Sequence, residues 1–333
     1  MQLLNTKTLI YVIYFFKSMK KSVFVGVLVL LVIFIAGCTG VPQGETPGDT
    51  AAALRAVQTG TQGIVTQVLE NSPPALIYDS SELVALVEVR NRGNYDLDQT
   101  SCFVQITGFD PNIIRGGFDV SRSCAENVGI LQGKNVYNTA GDFNQIEFHS
   151  PSVQLPDGVF EYNPTLNFVT CYQYHTTASP QVCVDPLFYQ VTSEQKSCTP
   201  RPANVGGGQG APVGVSFVGV SMVGSKAVFE INIQNMGTGR VLSPFANVQN
   251  CGQASLDYTD FDRVGYDVRL SGGTLIDCKP HDKIVRLNNG QGKIVCSYTI
   301  PGTSSFETPL KIDLDYGYID SIQQPIKIVK TPQ

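Results

Sequence analysis

Nine cysteines are the residues of this 333-residue chain whose chemistry is most readily predicted. Cys38 ends a hydrophobic amino-terminal segment, and the remaining eight form an even set. An even number of cysteines in an exported chain is typical of disulfide bonding. No C-x-x-C spacing supports a zinc site, and an oxidising compartment disfavours one. We therefore predict disulfides rather than a thiolate metal centre.

Position along the chain predicts how these cysteines pair. Cys102–Cys124 and Cys251–Cys278 occupy similar positions, each after a copy of a strand that occurs twice. Cys171 and Cys183 face each other across a predicted hairpin. Cys198 and Cys296 remain, and a disulfide between them would join the linker to the second domain. Each of the shorter loops would stabilise the fold by about 3 kcal/mol in the chain-entropy model. The predicted pairs are Cys102–Cys124, Cys171–Cys183, Cys251–Cys278 and Cys198–Cys296.

The three histidines, His149, His175 and His281, lie in different turn-rich segments, and no G-x-S-x-G elbow surrounds a serine. Residue order alone leaves an extracellular hydrolase open as an alternative. We predict that the protein is not an enzyme, because no set of catalytic residues converges in the sequence.

The densest cluster of carboxylates lacks the alternating D-x-D-x-D-G spacing of a calcium loop, which favours a solvated acidic loop over a metal site. No cofactor is predicted. A solute- or metal-binding surface lipoprotein remains an alternative, although solute-binding lobes need alternating helices that this chain does not show. The weak metal candidates are Asp257, Asp260, Asp262 and Asp267.

The composition is that of a folded β protein. Hydrophobic residues make up 42% of the chain and charged residues 15%, which excludes a disordered chain. Short apolar runs rich in Val, Ile, Tyr and Phe alternate with Gly and Pro, as in strands joined by turns. From Cys38 onward, 19 basic side chains stand against 28 acidic ones, a net charge of −9. Such a surface repels phosphate backbones, so nucleic acid is not a predicted partner.

The amino terminus has the order of a secretory signal: two lysines, an apolar run over 23–35, and small residues before Cys38. The ending Ile35-Ala36-Gly37-Cys38 resembles a lipobox, which implies lipid attachment at Cys38 and an outward-facing position on the cell membrane. An uncleaved helix over 23–37 would span about 22 Å of a hydrocarbon core of about 30 Å. A membrane helix and plain secretion stay open as alternatives, and Met19 is an alternative start to Met1.

A repeat organises the elements that position these residues. Residues 87–93, VEVRNRG, return 144 positions later as residues 231–237, INIQNMG. The same offset relates two Tyr-x-Tyr pairs, whose rings share one face of a strand and are expected in a core. We predict a duplicated domain of about 120 residues. The pairs are Tyr172 with Tyr174 and Tyr316 with Tyr318.

A strand that ends in Asn-x-Gly, at Asn91 and again at Asn235, resembles the CARDB-like and related immunoglobulin-type domains of archaeal and bacterial surfaces. More loosely, the chain resembles uncharacterised archaeal surface proteins that have no known activity. The resemblance implies an all-β chain with two tandem immunoglobulin-like sandwiches, and about seven strands in the second repeat fit that count. Turn geometry alone accounts for the Asn and the Gly.

The predicted organisation is a signal peptide or membrane segment, a flexible tether with a short helix near 51–58, and two sandwiches joined by a linker that lets them reorient. We predict a membrane-anchored surface protein with a structural or protein-binding role. Its expected partner is another surface protein or envelope component, contacted through the loops 116–142 and 257–267. The predicted boundaries are 1–37, 38–60, 61–198, 199–211 and 212–333.

Overall fold

The computed structural model describes residues 50–191, 195–206, 208–252 and 256–332. The predicted signal or membrane segment and Cys38 lie outside these ranges. Within them, no helix is long and apolar enough to cross a membrane. The short helix expected in the tether is confirmed as α1, Thr50–Gln58. Nearly all other regular structure is strand, so the all-β fold class is confirmed.

The strands of the first repeat follow α1. Alternating burial in the third strand shows why the apolar residues at 83–89 form a half-buried strand rather than a helix. The strands are β1 (Ile64–Val68), β2 (Leu76–Tyr78), β3 (Leu83–Asn91), β4 (Leu97–Asp98), β5 (Cys102–Thr107), β6 (Arg122–Ser123), β7 (Ile130–Leu131), β8 (Phe143–Ser150), β9 (Glu161–Tyr162), β10 (Thr165–Ala178) and β11 (Gln181–Val184).

The second repeat contains longer strands and one short 3₁₀ turn, Tyr258–Asp260. Its strands are β12 (Ala203–Asn204), β13 (Val213–Val223), β14 (Lys226–Asn235), β15 (Arg240–Leu242), β16 (Arg263–Leu270), β17 (Thr274–Lys279), β18 (Ile284–Arg286), β19 (Gln291–Thr299), β20 (Phe306–Pro325) and β21 (Lys327–Val329).

Six strands of the first repeat have counterparts in the same spatial order in the second repeat, as a duplication predicts. β1, β3 and β8 form a sheet in that order, and β13, β14 and β19 form the corresponding sheet. On the opposite side, β6, β5 and β10 correspond to β18, β16 and β20. The residues facing inward are mostly apolar in both copies, so the two sheets of each repeat pack face to face. The buried side chains of both repeats form one continuous core.

The repeats are joined by their two longest strands, β10 and β20, which pair antiparallel over 14 residues. In this register Tyr172 faces Tyr318 and Tyr174 faces Tyr316, while Gln173 faces Gly317, its own counterpart at the offset of 144. Antiparallel pairing of equivalent residues produces a local two-fold axis at Gln173 and Gly317. We call the sheet that contains both strands the shared sheet.

The segments that follow the two long strands are exchanged between the repeats. β11 pairs with the beginning of β20, and β21 pairs with β2 and β9 of the first repeat. The predicted hairpin between β10 and β11 is therefore wrong, because β10 continues to Ala178 and β11 crosses to the other repeat. The expected reorientation of two domains is also wrong, since the shared sheet and the exchanged strands join the repeats over residues 50–332.

Asn91 and Asn235 close equivalent turns by the same hydrogen bonds. The Asn91 Nδ2 donates to the Tyr95 carbonyl over 2.7 Å, and its Oδ1 accepts from the Gly93 N–H. The Tyr174 hydroxyl donates to Asn91 Oδ1 over 3.1 Å and accepts from the Tyr95 N–H. We call this arrangement the Asn–Tyr turn.

The second Asn–Tyr turn repeats each bond 144 residues later. Asn235 Nδ2 donates to the Gly239 carbonyl, and Asn235 Oδ1 accepts from the Gly237 N–H. The Tyr318 hydroxyl donates to Asn235 Oδ1 over 3.0 Å and accepts from the Gly239 N–H over 2.9 Å. The tyrosines were expected in the core, and all four tyrosines of the two Tyr-x-Tyr pairs are buried there.

All eight described cysteines form disulfides, but only one predicted pair is confirmed, Cys102–Cys124. The other three predicted pairs are wrong. The Cys171–Cys183 prediction required the hairpin that the strand exchange replaces. Cys251 instead reaches across the repeat boundary, and Cys296 lies opposite Cys278 on the neighbouring strand. The observed bonds are Cys171–Cys251, Cys183–Cys198 and Cys278–Cys296.

Candidate binding surface

A loop from the second repeat covers the outer face of the shared sheet. It leaves β15 at Leu242, and its base is closed where the Ser243 N–H donates to the Asp260 carbonyl over 2.7 Å. We call residues 243–260 the covering loop, of which 253–255 lie outside the described residues. Surface loops held on a rigid frame often carry binding residues.

The covering loop has its own small apolar core against the sheet. Val248, Cys251 and the partly buried Leu256 pack on residues of both repeats. Because these contacts lie outside the sandwich cores, they form a second, separate cluster. The sheet residues in that cluster are Phe103, Val169, Cys171 and Ile319.

Three further contacts hold the covering loop to the first repeat. The Cys171–Cys251 disulfide joins the loop to β10. The Gln173 side chain donates from Nε2 to the Ala246 carbonyl over 2.9 Å. The Ser121 hydroxyl donates to the Gln249 carbonyl over 2.5 Å, which brings the loop 116–142 against the covering loop. The predicted recognition loop 116–142 therefore contacts the covering loop, which runs into the other predicted recognition loop, 257–267.

Two aromatic side chains of the covering loop project into solvent. Phe245 is 84% exposed and Tyr258 is 81% exposed, although each lies only two residues from the Ser243–Asp260 closure. Large exposed aromatic side chains on a fixed backbone are typical of protein-binding surfaces. Tyr258 lies within the predicted loop 257–267, but neither aromatic residue could be singled out from the sequence. Only the tertiary structure shows that Val248 and Cys251 are buried while Phe245 and Tyr258 are exposed.

The four aspartates considered as weak metal candidates are used in other ways. Asp257 and Asp260 form a reciprocal cap on the 3₁₀ turn, and Asp262 pairs with Arg240 at 3.2 Å. Asp267 pairs with Arg269 and Lys283 on the exposed surface of β16. In the part of the chain that the structure describes, no group of three or more His, Cys, Asp or Glu side chains is placed to hold a metal ion.

Beside the covering loop, the shared sheet carries a polar cluster around His175. Its Nδ1 lies 2.7 Å from Asp315 Oδ1, and its Nε2 lies 3.1 Å from the Thr177 hydroxyl. The hydrogen bond with Asp315 and the charges of Asp315 and Asp313 raise the pKa of His175, against the opposing effect of burial.

The order Asp315, His175, Thr177 superficially matches an acid, base and hydroxyl nucleophile. However, the Thr177 hydroxyl donates to Asp313 Oδ1 over 2.7 Å, so its proton is directed away from the imidazole. Asp313 is itself nearly buried and also contacts Arg269 and Lys311. The cluster is therefore an ion-pair network across β10, β20 and β16, and a general base at His175 has no hydroxyl proton to accept.

A cavity of about 250 Å³ lies between β1 and β20, near the local two-fold axis. Several of its polar lining side chains are already hydrogen-bonded: Thr66 to Thr170 behind the wall at 2.6 Å, and the Thr238 hydroxyl to Asp320 at 2.8 Å. Burial raises the pKa of Tyr318, which also lines the cavity, to about 12, and its hydroxyl already donates to Asn235 over 3.0 Å. These walls leave few groups to orient a ligand.

Comparison with known proteins identifies no family for the chain. No protein family and no curated protein matches its sequence. Among solved structures, it has a similarity to the secreted serine protease VesC from Vibrio cholerae, at 10% identity and a TM-score of 0.19. The match covers 85% of this chain and 54% of that protein. At this TM-score the similarity supports no argument about fold or activity.

Proposed function

We propose that this protein is a membrane-anchored surface protein that binds a protein partner through the covering loop. The observation that supports this most directly is the combination of a loop fixed to the shared sheet with the two exposed aromatic side chains Phe245 and Tyr258. A loop held rigidly before binding loses little conformational entropy in the complex, so its exposed aromatic area contributes more fully to affinity.

The disulfides support an oxidising location. Four bonds join all eight described cysteines, including Cys183–Cys198, which closes the segment leading out of the first repeat. Such bonds persist in secreted and surface proteins and are rare where thiols are kept reduced. Two acyl chains hold a protein on a membrane stably, whereas one does so only marginally, so a doubly lipidated Cys38 would serve as the anchor.

The binding proposal is tested by capturing partners from cross-linked native membranes with wild-type protein and with the Phe245→Ala/Tyr258→Ala variant. We expect the variant to lose the wild-type partner by about tenfold or more, as for central aromatic residues of other interfaces. The matched control is Tyr189→Ala, because Tyr189 is 76% exposed on a turn outside the covering loop and outside both predicted recognition loops. Equal capture by all three proteins, with unchanged melting temperatures, would show that the site lies elsewhere.

The anchor is tested separately by replacing Cys38 with Ser. We expect the variant to lack attached lipid and to keep its signal or enter the medium, with both repeats still folded. Mass spectrometry of wild-type protein is the measurement. A wild-type chain that keeps residues 20–37 and carries no lipid would rule out the lipoprotein proposal in favour of a short membrane helix.

A further inference from the structure

β8 is an edge strand whose outer side is open. The Asn91 N–H donates to the Asp142 carbonyl over 2.9 Å, which places residue 142 in a hydrogen-bonded pair with β3. Such pairs alternate along an antiparallel ladder, so the even-numbered residues 144–150 also face β3. The main-chain groups of the odd-numbered residues point away from β3, and none has a hydrogen-bond partner among the described residues. These residues are Phe143, Gln145, Glu147 and His149.

The second repeat covers the corresponding edge. There β19 has the place of β8, since Ile294 faces Ile231 as Ile146 faces Val87. β17 then pairs with β19 on its outer side, and the Cys278–Cys296 disulfide joins the two strands. In the first repeat, the described residues contain no strand in the place of β17. This fold therefore accepts one more antiparallel strand beside β8.

The outward residues of β8 are complementary to a second copy of the same strand. If two β8 strands pair antiparallel about Ile146, Gln145 of each copy faces Glu147 of the other, and Phe143 faces His149. All four side chains are exposed. Within the monomer, Phe143 contacts the Arg90 guanidinium at 4.6 Å and His149 lies 3.8 Å from Glu82, and both remain open to solvent on the sheet face. An amide opposite a carboxylate and an aromatic ring opposite an imidazole are favourable cross-strand pairs. A register centred on Glu147 would instead place two carboxylates opposite each other, which is destabilising.

The interior of the molecule already contains a junction of this kind. β10 and β20 are equivalent strands that pair antiparallel about a local two-fold axis. An exposed edge usually carries features that prevent pairing, such as lysine, proline or a bulge. β8 has no lysine, proline or bulge between residues 143 and 150, and its register with β3 is regular throughout. Its one carboxylate, Glu147, faces Gln145 in the pairing about Ile146 and so does not oppose that pairing.

We propose that β8 is a dimer interface, at which two copies of this chain pair antiparallel about Ile146. The β1, β3, β8 sheets of two molecules then form one continuous sheet with about eight new main-chain hydrogen bonds. Because the interface uses neither Phe245 nor Tyr258, dimerisation and partner binding by the covering loop are separate properties.

The test measures the dimer dissociation constant of the full chain in mild detergent, by energy transfer between carboxyl-terminally labelled copies. Gln145→Glu puts two like-charge pairs into the proposed interface, and we expect about tenfold weaker dimerisation. Adding Glu147→Lys to this variant restores opposite charges in both pairs and should restore the wild-type constant. This rescue is specific to the register, because a register centred on residue 147 would place two lysines together.

Two further variants separate pairing from folding. Gln145→Pro should abolish the dimer while the monomer still folds, since the lost N–H points outward and proline is tolerated at such edge positions. Gln291→Glu makes the same charge change on the covered strand β19 and should leave the constant unchanged. Gln145 also faces Glu88 of β3, so melting temperatures are measured where the protein is monomeric.

The proposal predicts a wild-type dimer, loss of the dimer in Gln145→Pro, and rescue by the second charge change. A full chain that stays monomeric, including one whose edge is covered by its own residues outside the described ranges, would overturn it. A dimer unaffected by Gln145→Pro, or one that the double variant does not restore, would overturn it equally.

Discussion

Tyr174 donates a hydrogen bond to Asn91 across 83 residues of chain, and the two atoms lie 3.1 Å apart in the buried core. The bond links the end of β3 to the middle of β10, and so connects one sheet of the first sandwich to the other. Tyr318 and Asn235 repeat it at 3.0 Å. The Asn-x-Gly motif is thus half of a tertiary contact, whose other half is the second tyrosine of each Tyr-x-Tyr pair.

Removing the hydroxyl of either tyrosine should destabilise the protein. Tyr174→Phe and Tyr318→Phe each leave an Asn oxygen and a main-chain N–H without the tyrosine partner, which costs about 1 to 3 kcal/mol where the groups are buried. Asn91 is buried and Asn235 partly buried, so we expect the larger loss for Tyr174→Phe. Chemical denaturation of each variant measures the loss. Tyr137→Phe is the control and should change stability by less than about 0.5 kcal/mol, because Tyr137 is exposed. Two variants as stable as wild type would show that the hydroxyls do not contribute.

The glycine of the Asn–Tyr turn should not accept even a methyl group. A Cβ at Gly93 would overlap the Tyr174 hydroxyl and lie 2.7 Å from the Gly210 carbonyl oxygen. We expect Gly93→Ala to cost at least as much as Tyr174→Phe, about 2 kcal/mol or more, through overpacking. Gly158→Ala is an informative comparison, because it has no atom near the added Cβ but a φ of +80°. If Gly93→Ala loses less stability than Gly158→Ala, steric contact is not the reason for the glycine.

The disulfide between Cys171 and Cys251 should stabilise the protein most. It closes 80 residues, whereas Cys183–Cys198 closes 15, and longer loops restrict the unfolded chain more. In the chain-entropy model the two bonds are worth about 4.5 and 3 kcal/mol. Replacing both cysteines of each pair by Ala and measuring unfolding gives the two values. Peptide mapping without reductant should recover 171 linked to 251, and a peptide linking 171 to 183 would contradict the structure.

His175 should make stability depend on pH. Its folded pKa lies above the ordinary value of 6.5, so the folded state binds the proton more tightly than the unfolded state. The resulting stabilisation is fully present below about pH 6.5 and is lost as the pH rises through the folded pKa. We expect His175→Gln to lose more stability relative to wild type at about pH 6 than at about pH 8.5. His281→Gln, with a 71% exposed side chain, is the control.

Asp79 should contribute to stability until the solution becomes strongly acidic. Its hydrogen bonds with Lys330 and Thr331 lower its pKa from 3.8 to about 2 and fasten the chain after β21 to the first repeat. This stabilisation is present above about pH 3.8 and is lost as the pH falls through about 2. Asp79→Asn should therefore melt below wild type at neutral pH, and the two melting temperatures should converge near pH 2. A constant difference across that range would show that ionisation of Asp79 is not involved.

Local features of the chain were predictable because they depend on neighbouring residues. The alternation at 83–89 predicted β3, and the common offset of 144 predicted that Asn91 and Asn235 lie at equivalent turns. In each case one short stretch specifies which side chains face inward.

The binding surface could not be predicted in the same way. The sequence directed attention to the loops 116–142 and 257–267, but Phe245 lies in neither. Its exposure depends on how Val248 and Cys251 fill the outer face of the shared sheet, and that face belongs mainly to strands from the other repeat. Burial of one part of a loop decides which of its other residues remain in solvent.

The sequence by itself determined the β fold, the duplication and the even set of cysteines, since these follow from alternation, self-similarity and residue counts. Only the tertiary structure decided which edges pair and which cysteines meet. Main-chain hydrogen bonds are the same for every residue except proline, so a strand such as β11 carries no local signal that distinguishes β10 from β20 as its neighbour. That choice depends on side-chain packing between segments more than 100 residues apart, and Cys183 is carried with β11 away from Cys171.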